Sequence, residues 1–146
     1  MNKQKETSMK NIFIIIIVFI SLNLYSQENL KSVTFFGKNL EAPIECVSVQ
    51  QGMIKCTSFA LFWFPVPSED LKRHMQETKS QMVALNAKKF ECTLLDQKLD
   101  AYKYKIDIGY IISICDKIQE QPSIITVWVK DDVEKSSDFP IFLQQV

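Results

Sequence analysis

A strict alternation of apolar and polar residues runs along residues 101–108, which is typical of a β-strand with one buried face. Tyrosines and isoleucines occupy the even positions, while Lys103, Lys105 and Asp107 occupy the odd ones. The strand-forming segment 88–95 precedes it across a polar turn that begins at Asp96. These two segments therefore predict an antiparallel hairpin.

Further runs of β-branched and aromatic residues predict the other strands. Strands are expected at 32–36, 44–49, 53–64, 124–130 and, as a last edge strand, 139–143. The segment 110–118 fits either a strand or a helix. The segment 131–138 is rich in charged residues and serine, which is typical of a solvated loop.

One long amphipathic helix is predicted after the prolines of the segment 65–67. Apolar residues recur at spacings of three and four from Leu71 to Leu85, and charged or amide residues fill the other side. Ser68 is the candidate N-cap, and Asn86 is a suitable C-terminal stop.

This order of elements predicts an α+β fold. We expect a mainly antiparallel sheet of about five to seven strands with one long helix packed across it, in the order β-β-β-α-β-β-β. No internal repeat or linker interrupts residues 27–146, so this segment is expected to form a single domain.

The N-terminus has the pattern of an export signal. Lysines at positions 3, 5 and 10 precede an unbroken apolar run over residues 12–20. A membrane-spanning helix needs about 20 apolar residues, so this run is too short unless polar neighbours enter the lipid. We therefore expect a signal peptide over residues 1–26, with Met9 as an alternative start. An uncleaved membrane anchor is the other interpretation.

Composition excludes one class of partner, and the export-signal pattern indicates the compartment. The 17 basic and 17 acidic residues balance, and the mature segment is slightly acidic because the leader is lysine-rich. Such a chain has no electrostatic attraction for nucleic acid. The expected location is the periplasm or the exterior of a bacterium, with no stable membrane span after signal cleavage.

Cys46 and Cys56 flank a Gln50-Gln51-Gly52 centre, and the surrounding residues favour two strands. A three-residue hairpin loop with Gly52 in the left-handed region would pair Val49 with Met53. The two cysteines would then face each other on a close rung, where a disulfide can form in an oxidising compartment. Free thiols and a functional thiol or metal site are the alternatives.

Cys92 and Cys115 give two opposed indications. The even number of cysteines favours a second disulfide. A simple meander would place the strand of Lys103 between the two cysteines and separate them by about 9.6 Å, beyond the reach of a bond. The sequence leaves this pairing open.

Two aromatic features are candidate binding surfaces. The segment 59–64 is apolar on both faces, and its Phe59, Leu61 and Trp63 would form a contact strip if nothing covers that face. The alternative is a central core strand. Trp128 lies in phase with polar neighbours, and together with Lys103 and Lys105 it would form a sugar- or anion-binding surface if their strands are adjacent.

Catalytic chemistry is poorly represented. His74 is the only histidine, and no nucleophile motif, phosphate loop, dinucleotide pattern or set of metal ligands accompanies it. The sequence therefore predicts a small exported, non-enzymatic binding module without a cofactor, such as an inhibitor, an immunity-type protein or an accessory subunit. Its partner would be another protein or a small envelope ligand. An envelope hydrolase that uses His74 with nearby carboxylates is the alternative.

Overall fold

The computed structural model describes residues 31–139 and 141–144. Its main element is a seven-stranded, fully antiparallel sheet in the order β3-β4-β5-β9-β8-β7-β6, beside a separate β1–β2 hairpin. The strands are β1 (Ser32–Phe35), β2 (Lys38–Glu41), β3 (Val47–Gln50), β4 (Met53–Lys55), β5 (Phe59–Pro65), β6 (Lys88–Leu94), β7 (Gln97–Ile106), β8 (Gly109–Ile118) and β9 (Gln121–Val129). The coarse α+β prediction is confirmed.

Strands β6 to β9 form a meander with tight turns. Leu95 and Asp96 join β6 to β7, and Gln119 and Glu120 join β8 to β9, all four with positive φ. Two consecutive residues with positive φ give a two-residue turn a twist that matches that of the flanking strands. Strand β9 then pairs with β5 from Phe59 to Pro65, so the meander continues the sheet that β3, β4 and β5 begin.

The helix α1 (Leu71–Ala84) lies between β5 and β6 in the chain. Its C-terminal stop is as predicted: Asn86 has a φ of 53°, and the amide of Ala87 donates to the carbonyl of Met82 at 2.9 Å. The predicted cap is wrong. Ser68 begins a 3₁₀ turn, Ser68–Asp70, and α1 starts at Leu71 with no side-chain cap from Asp70.

The two faces of the sheet have different covers. On one, which we call the hairpin face, the inward residues of β4, β5, β8 and β9 pack against Phe35 and Leu40 of the β1–β2 hairpin and against a C-terminal segment. That segment contributes Val133, Phe139 and Leu143, all buried. Its last element is the short helix α2 (Ile141–Gln144).

On the opposite side, the helix face, α1 contacts β7 and β8. Met82 packs there against Tyr104 and Ile111. Toward β4, β5 and β9 the helix face carries a separate small cluster built on Met53 and Ala60. One helix thus covers only part of a seven-stranded sheet.

The detailed element order differs from the prediction, because five strands precede α1 and four follow it. Residues 32–41 form two strands because Gly37, with a φ of 79°, turns the chain back on itself. The predicted strand 53–64 divides into β4 and β5, with a turn between Lys55 and Phe59.

Two further segments are now assigned. Residues 110–118, left open between strand and helix, lie in β8 and supply Ile112 and Ile114 to the core. The predicted last edge strand over 139–143 is wrong, since Ile141–Gln144 is helical.

Candidate functional site

A groove of about 690 Å³ lies between the β1–β2 hairpin and the neighbouring ends of β3, β5 and β9. We call it the hairpin groove. Its volume is within the range of about 300–1,000 Å³ that is common for ligand sites. It is lined by Val33, Thr34, Phe36, Gly37, Ser48, Gln50, Gln51, Gly52, Ile54, Trp63, Phe64, Pro65, Gln121 and Ser123.

The β3–β4 turn fixes one wall of the groove against β5. The Trp63 amide donates to the carbonyl of Gly52 at 2.9 Å. Gly52 has a φ of 76°, and a Cβ there would collide with the carbonyl oxygen of Trp63. Glycine is therefore required at this position for both its conformation and the close approach of β5.

Trp63 is the largest aromatic side chain of the groove. Its ring meets Phe35 edge to face at a centroid distance of 5.1 Å, and Phe35 meets Phe36 in the same way at 4.8 Å. These contacts orient the rings and contribute beyond simple area burial. Phe35 is completely buried, whereas Trp63 and Phe36 are half-buried and line the open space.

A disulfide stabilises the hairpin that forms this wall. Cys46 and Cys56 are bonded, with their Cα atoms 4.1 Å apart, which confirms the predicted pair. Val47 pairs with Lys55, as the predicted register requires. The predicted closing pair is wrong, because Met53 faces Gln50 and the strand is irregular between Ser48 and Gln50.

The lining of the hairpin groove contains no ionisable side chain among the described residues. Its polar groups are hydroxyls and carboxamides, which both donate and accept hydrogen bonds. Gln50, Gln51 and Gln121 are exposed, and Ser123 is buried with its hydroxyl donating to the carbonyl of Gln121 at 3.2 Å. The groove therefore presents an aromatic surface beside neutral hydrogen-bonding groups.

The predicted aromatic strip is divided by the structure. Phe59 is 2% exposed and Leu61 is 0% exposed, because they lie in the core of the hairpin face, in one cluster with residues of the β1–β2 hairpin and the C-terminal segment. These two residues belong to the core and offer no contact surface in this state. Only Trp63, near the end of β5, reaches the groove.

The surface expected from Trp128, Lys103 and Lys105 is not assembled. Strand β8 lies between β9, which carries Trp128, and β7, which carries both lysines. Trp128 packs on the helix face near Met53, whereas Lys103 points to the hairpin face and Lys105 is exposed. The prediction required adjacent strands and a shared face, and neither condition holds.

Lys103 has a structural environment instead. Its ammonium group pairs with Asp132 and donates to the carbonyl of Val133 at 2.6 Å. It also lies over the rings of Phe90 and Tyr110, at 5.9 and 5.5 Å from their centroids. This buried lysine attaches the C-terminal segment to the sheet, and its hydrogen bond and charge lower the pKa of the Asp132 carboxyl.

Cys92 and Cys115 are free thiols. They lie on β6 and β8, which β7 separates, and they face opposite sides of the sheet. Burial raises the pKa of Cys92 to about 11 and also raises that of Cys115, whose thiol is hydrogen-bonded to the side chain of Thr78. Both groups are therefore protonated near neutral pH and poorly suited to nucleophilic attack.

His74 lies on α1 with its Nδ1 atom 3.8 Å from a carboxylate oxygen of Glu77, one helical turn away. It lines neither the hairpin groove nor the second cavity described below. In the described part of the chain, no group of three or more histidine, cysteine or acidic side chains could hold a metal ion.

The sequence pattern does not mark several of the groove residues as functional. It predicts a strand at Phe36 and a turn at Gln50 and Gln51, and it gives Ser123 no special role. The contacts that join them span three separate parts of the chain, so no local spacing identifies them. The one local signal is the polar Gln-Gln-Gly turn directly preceding a highly apolar strand pair.

Comparison with known proteins gives no match to this chain, whether among family models, curated sequences or solved structures. Among residues 31–139 and 141–144, no helix is both long and apolar enough to cross a membrane.

Proposed function

We propose that this protein is a small exported, non-enzymatic binding module that holds a neutral saccharide in the hairpin groove. The observation that carries the proposal is the groove itself: it has the volume of a ligand site, a half-buried tryptophan and an uncharged polar lining. Of the predicted strip Phe59, Leu61 and Trp63, only Trp63 is accessible to a ligand.

The chemistry of the lining supports this ligand class. The C–H faces of a sugar ring pack on aromatic surfaces, and sugar hydroxyls both donate and accept hydrogen bonds. Glutamine and serine side chains match that dual character, whereas a charged ligand would find no counter-charge among the described residues of the lining. The lining therefore favours a neutral polyhydroxyl compound over an anion.

Export is supported by two independent features. The N-terminal segment 1–26 has a signal-peptide pattern, although it lies outside the described residues. The Cys46–Cys56 disulfide requires an oxidising compartment to persist. The envelope-hydrolase alternative gains no support from His74, which lies away from the groove.

Binding to an array of neutral glycans tests the proposal. The protein applied to the array is purified from cells that express the full-length chain. The wild type is expected to bind a subset of uncharged oligosaccharides. Gln51→Ala is expected to weaken that binding about five-fold, which corresponds to the net free energy of one hydrogen bond. Gln51 is exposed, so its removal should leave the fold intact.

Gln76→Ala supplies the matched control, because Gln76 is an equally exposed glutamine on α1, remote from the groove lining. It should bind as the wild type does. Equal losses in both variants, or no binding to any neutral glycan, would contradict the proposal.

A further inference from the structure

A second, smaller cavity lies on the helix face, between α1 and strands β5, β7, β8 and β9. We call it the helix cavity; its volume is about 110 Å³. Its lining consists of Phe62, Phe64, Thr78, Gln81, Met82, Tyr104, Ile111, Ser113, Ile124 and Thr126. It is distinct from the hairpin groove, with which it shares only Phe64.

The helix cavity has a buried floor and a half-buried rim. Met82, Tyr104 and Ile111 form one cluster at the floor, and each is at most 6% exposed. Phe62 and Gln81 are half-buried at the rim. The space is therefore enclosed on the sheet side and reaches solvent between the helix and β5.

Tyr104 is the exceptional residue of this lining. Its hydroxyl is buried and has no hydrogen-bond partner within the described part of the chain. Burial of an unpaired hydroxyl is unfavourable, and a phenylalanine would fill the same space without that cost. Burial also raises the Tyr104 pKa to about 12, so the hydroxyl keeps its proton and remains a donor near neutral pH.

The volume and lining of the helix cavity indicate which kind of ligand could supply a hydrogen-bond partner for Tyr104. An apolar cavity of about 150 Å³ in another protein binds benzene, so the helix cavity accommodates a ligand of about five or six non-hydrogen atoms. Within the described part of the chain, its walls carry no ionisable group other than the tyrosine, which disfavours a charged ligand. Six of the ten lining residues are aromatic, aliphatic or methionine, so most of the ligand surface must be apolar.

We propose that the helix cavity binds a small, uncharged, mainly apolar molecule with one hydrogen-bond acceptor, such as a carbonyl oxygen, that accepts a hydrogen bond from the Tyr104 hydroxyl. This inference is independent of the saccharide site. A bound water is the competing occupant, since hydroxyls of Ser113 and Thr126 line the same space and water needs two to four polar partners.

Two probes of equal size separate these occupants. Cyclopentanone has an acceptor oxygen, and methylenecyclopentane replaces that oxygen with a carbon. Titration of the isotope-labelled protein by NMR should give saturable shifts at cavity residues with both probes and tighter binding of cyclopentanone.

Tyr104→Phe should weaken cyclopentanone binding about five-fold and leave methylenecyclopentane binding unchanged, since only one hydrogen bond is removed. Tyr102→Phe is the matched control: Tyr102 lies two residues earlier on the same face of β7 but does not line the cavity. It should change neither affinity.

The proposal is overturned if neither probe gives saturable shifts at the cavity, which would leave water as its only occupant. It is equally overturned if Tyr104→Phe binds cyclopentanone as tightly as the wild type. Because Tyr104→Phe removes an unpartnered hydroxyl, the variant is expected to fold, and its amide spectrum verifies this directly.

Discussion

The two faces of the central sheet differ in how completely they are filled. On the hairpin face, the side chains of Phe59, Leu61 and Ile112 are at most 2% exposed beneath two separate covers. On the helix face, a single helix leaves a cavity beside it, and two buried donors, Tyr104 and Trp128, lack partners within the described residues.

Because of this difference, the residues that stabilise the fold and the residues that could bind a ligand lie in different places. A densely packed face contributes most of the hydrophobic stabilisation, and its residues are poor candidates for contact with a ligand. Open space remains at the margin of the hairpin face, where the hairpin groove lies, and within the helix face. Candidate binding residues are therefore found where packing stops, including on strands whose other residues form the core.

The largest expected effect is on the hairpin face. Leu61→Ala removes a completely buried side chain and should lower the free energy of unfolding by about 2–5 kcal/mol. Phe62→Ala, next to it but half-buried at the rim of the helix cavity, should cost less. Urea denaturation of both variants measures the comparison. A Phe62→Ala loss equal to or larger than that of Leu61→Ala would contradict the stated difference between the faces.

Removal of the disulfide should give the next largest effect. The bond closes a loop with a sequence separation of 10 residues, for which the chain-entropy model gives about 2–3 kcal/mol. A Cys46→Ser, Cys56→Ser double variant should therefore melt at a lower temperature but still fold. Peptide mapping without reductant checks the bond itself; finding both thiols alkylatable would contradict the pairing.

Asp132→Asn should have an intermediate effect of about 1 kcal/mol at neutral pH, modest because the Asp132 side chain is 43% exposed. Lys103 lowers the Asp132 pKa below its ordinary value of 3.8, so the ion pair stabilises the folded state above that pH. The stabilisation is lost as the pH falls through the lowered folded-state pKa.

Melting temperatures of the wild type and of Asp132→Asn, measured from neutral pH into acid, check this sign. The difference between the two proteins should shrink as the pH falls below about 4, where the carboxyl of the unfolded chain becomes protonated first and that of the folded protein at a lower pH. A difference that stays constant or grows in acid would show that the ion pair does not stabilise the attachment of the C-terminal segment.

The smallest effect is expected at Ser68. The sequence pattern marks this residue as a helix cap, for which alanine substitution typically costs about 1 kcal/mol. Because α1 starts at Leu71 and Ser68 is exposed in the preceding 3₁₀ turn, Ser68→Ala should change the unfolding free energy by less than about 0.5 kcal/mol. A loss of unfolding free energy near 1 kcal/mol would show that Ser68 does cap the helix.

Local patterns were sufficient for much of the fold. The alternation along residues 101–108 predicts β7, although Lys103 on its expected polar side is buried; the spacing from Leu71 to Leu85 predicts α1, and the turn at Gly52 predicts the bonded cysteines. Each depends on residues that are close in the sequence and on a single structural period.

The position of the groove depends on contacts that no such period contains. Trp63, like Leu61, has an apolar residue on each side in the sequence, yet Leu61 is completely buried in the core of the hairpin face and Trp63 lines the groove. Lys103 resembles a solvated residue in the alternating pattern, but the distant Asp132 and Val133 enclose it. Long-range covering elements, rather than the strand patterns themselves, determine which of these side chains remain accessible.

The two tryptophans provide the most direct test of the central claim, that the ligand site is the hairpin groove. Trp63 lies in the groove and Trp128 on the helix face, so the two indole N–H signals of an NMR spectrum report on opposite sides of the sheet. Trp63→Phe assigns the signals. Titration with neutral envelope oligosaccharides should shift the Trp63 signal and leave that of Trp128 in place. A shift of Trp128 alone, or of neither signal, would contradict the proposed site.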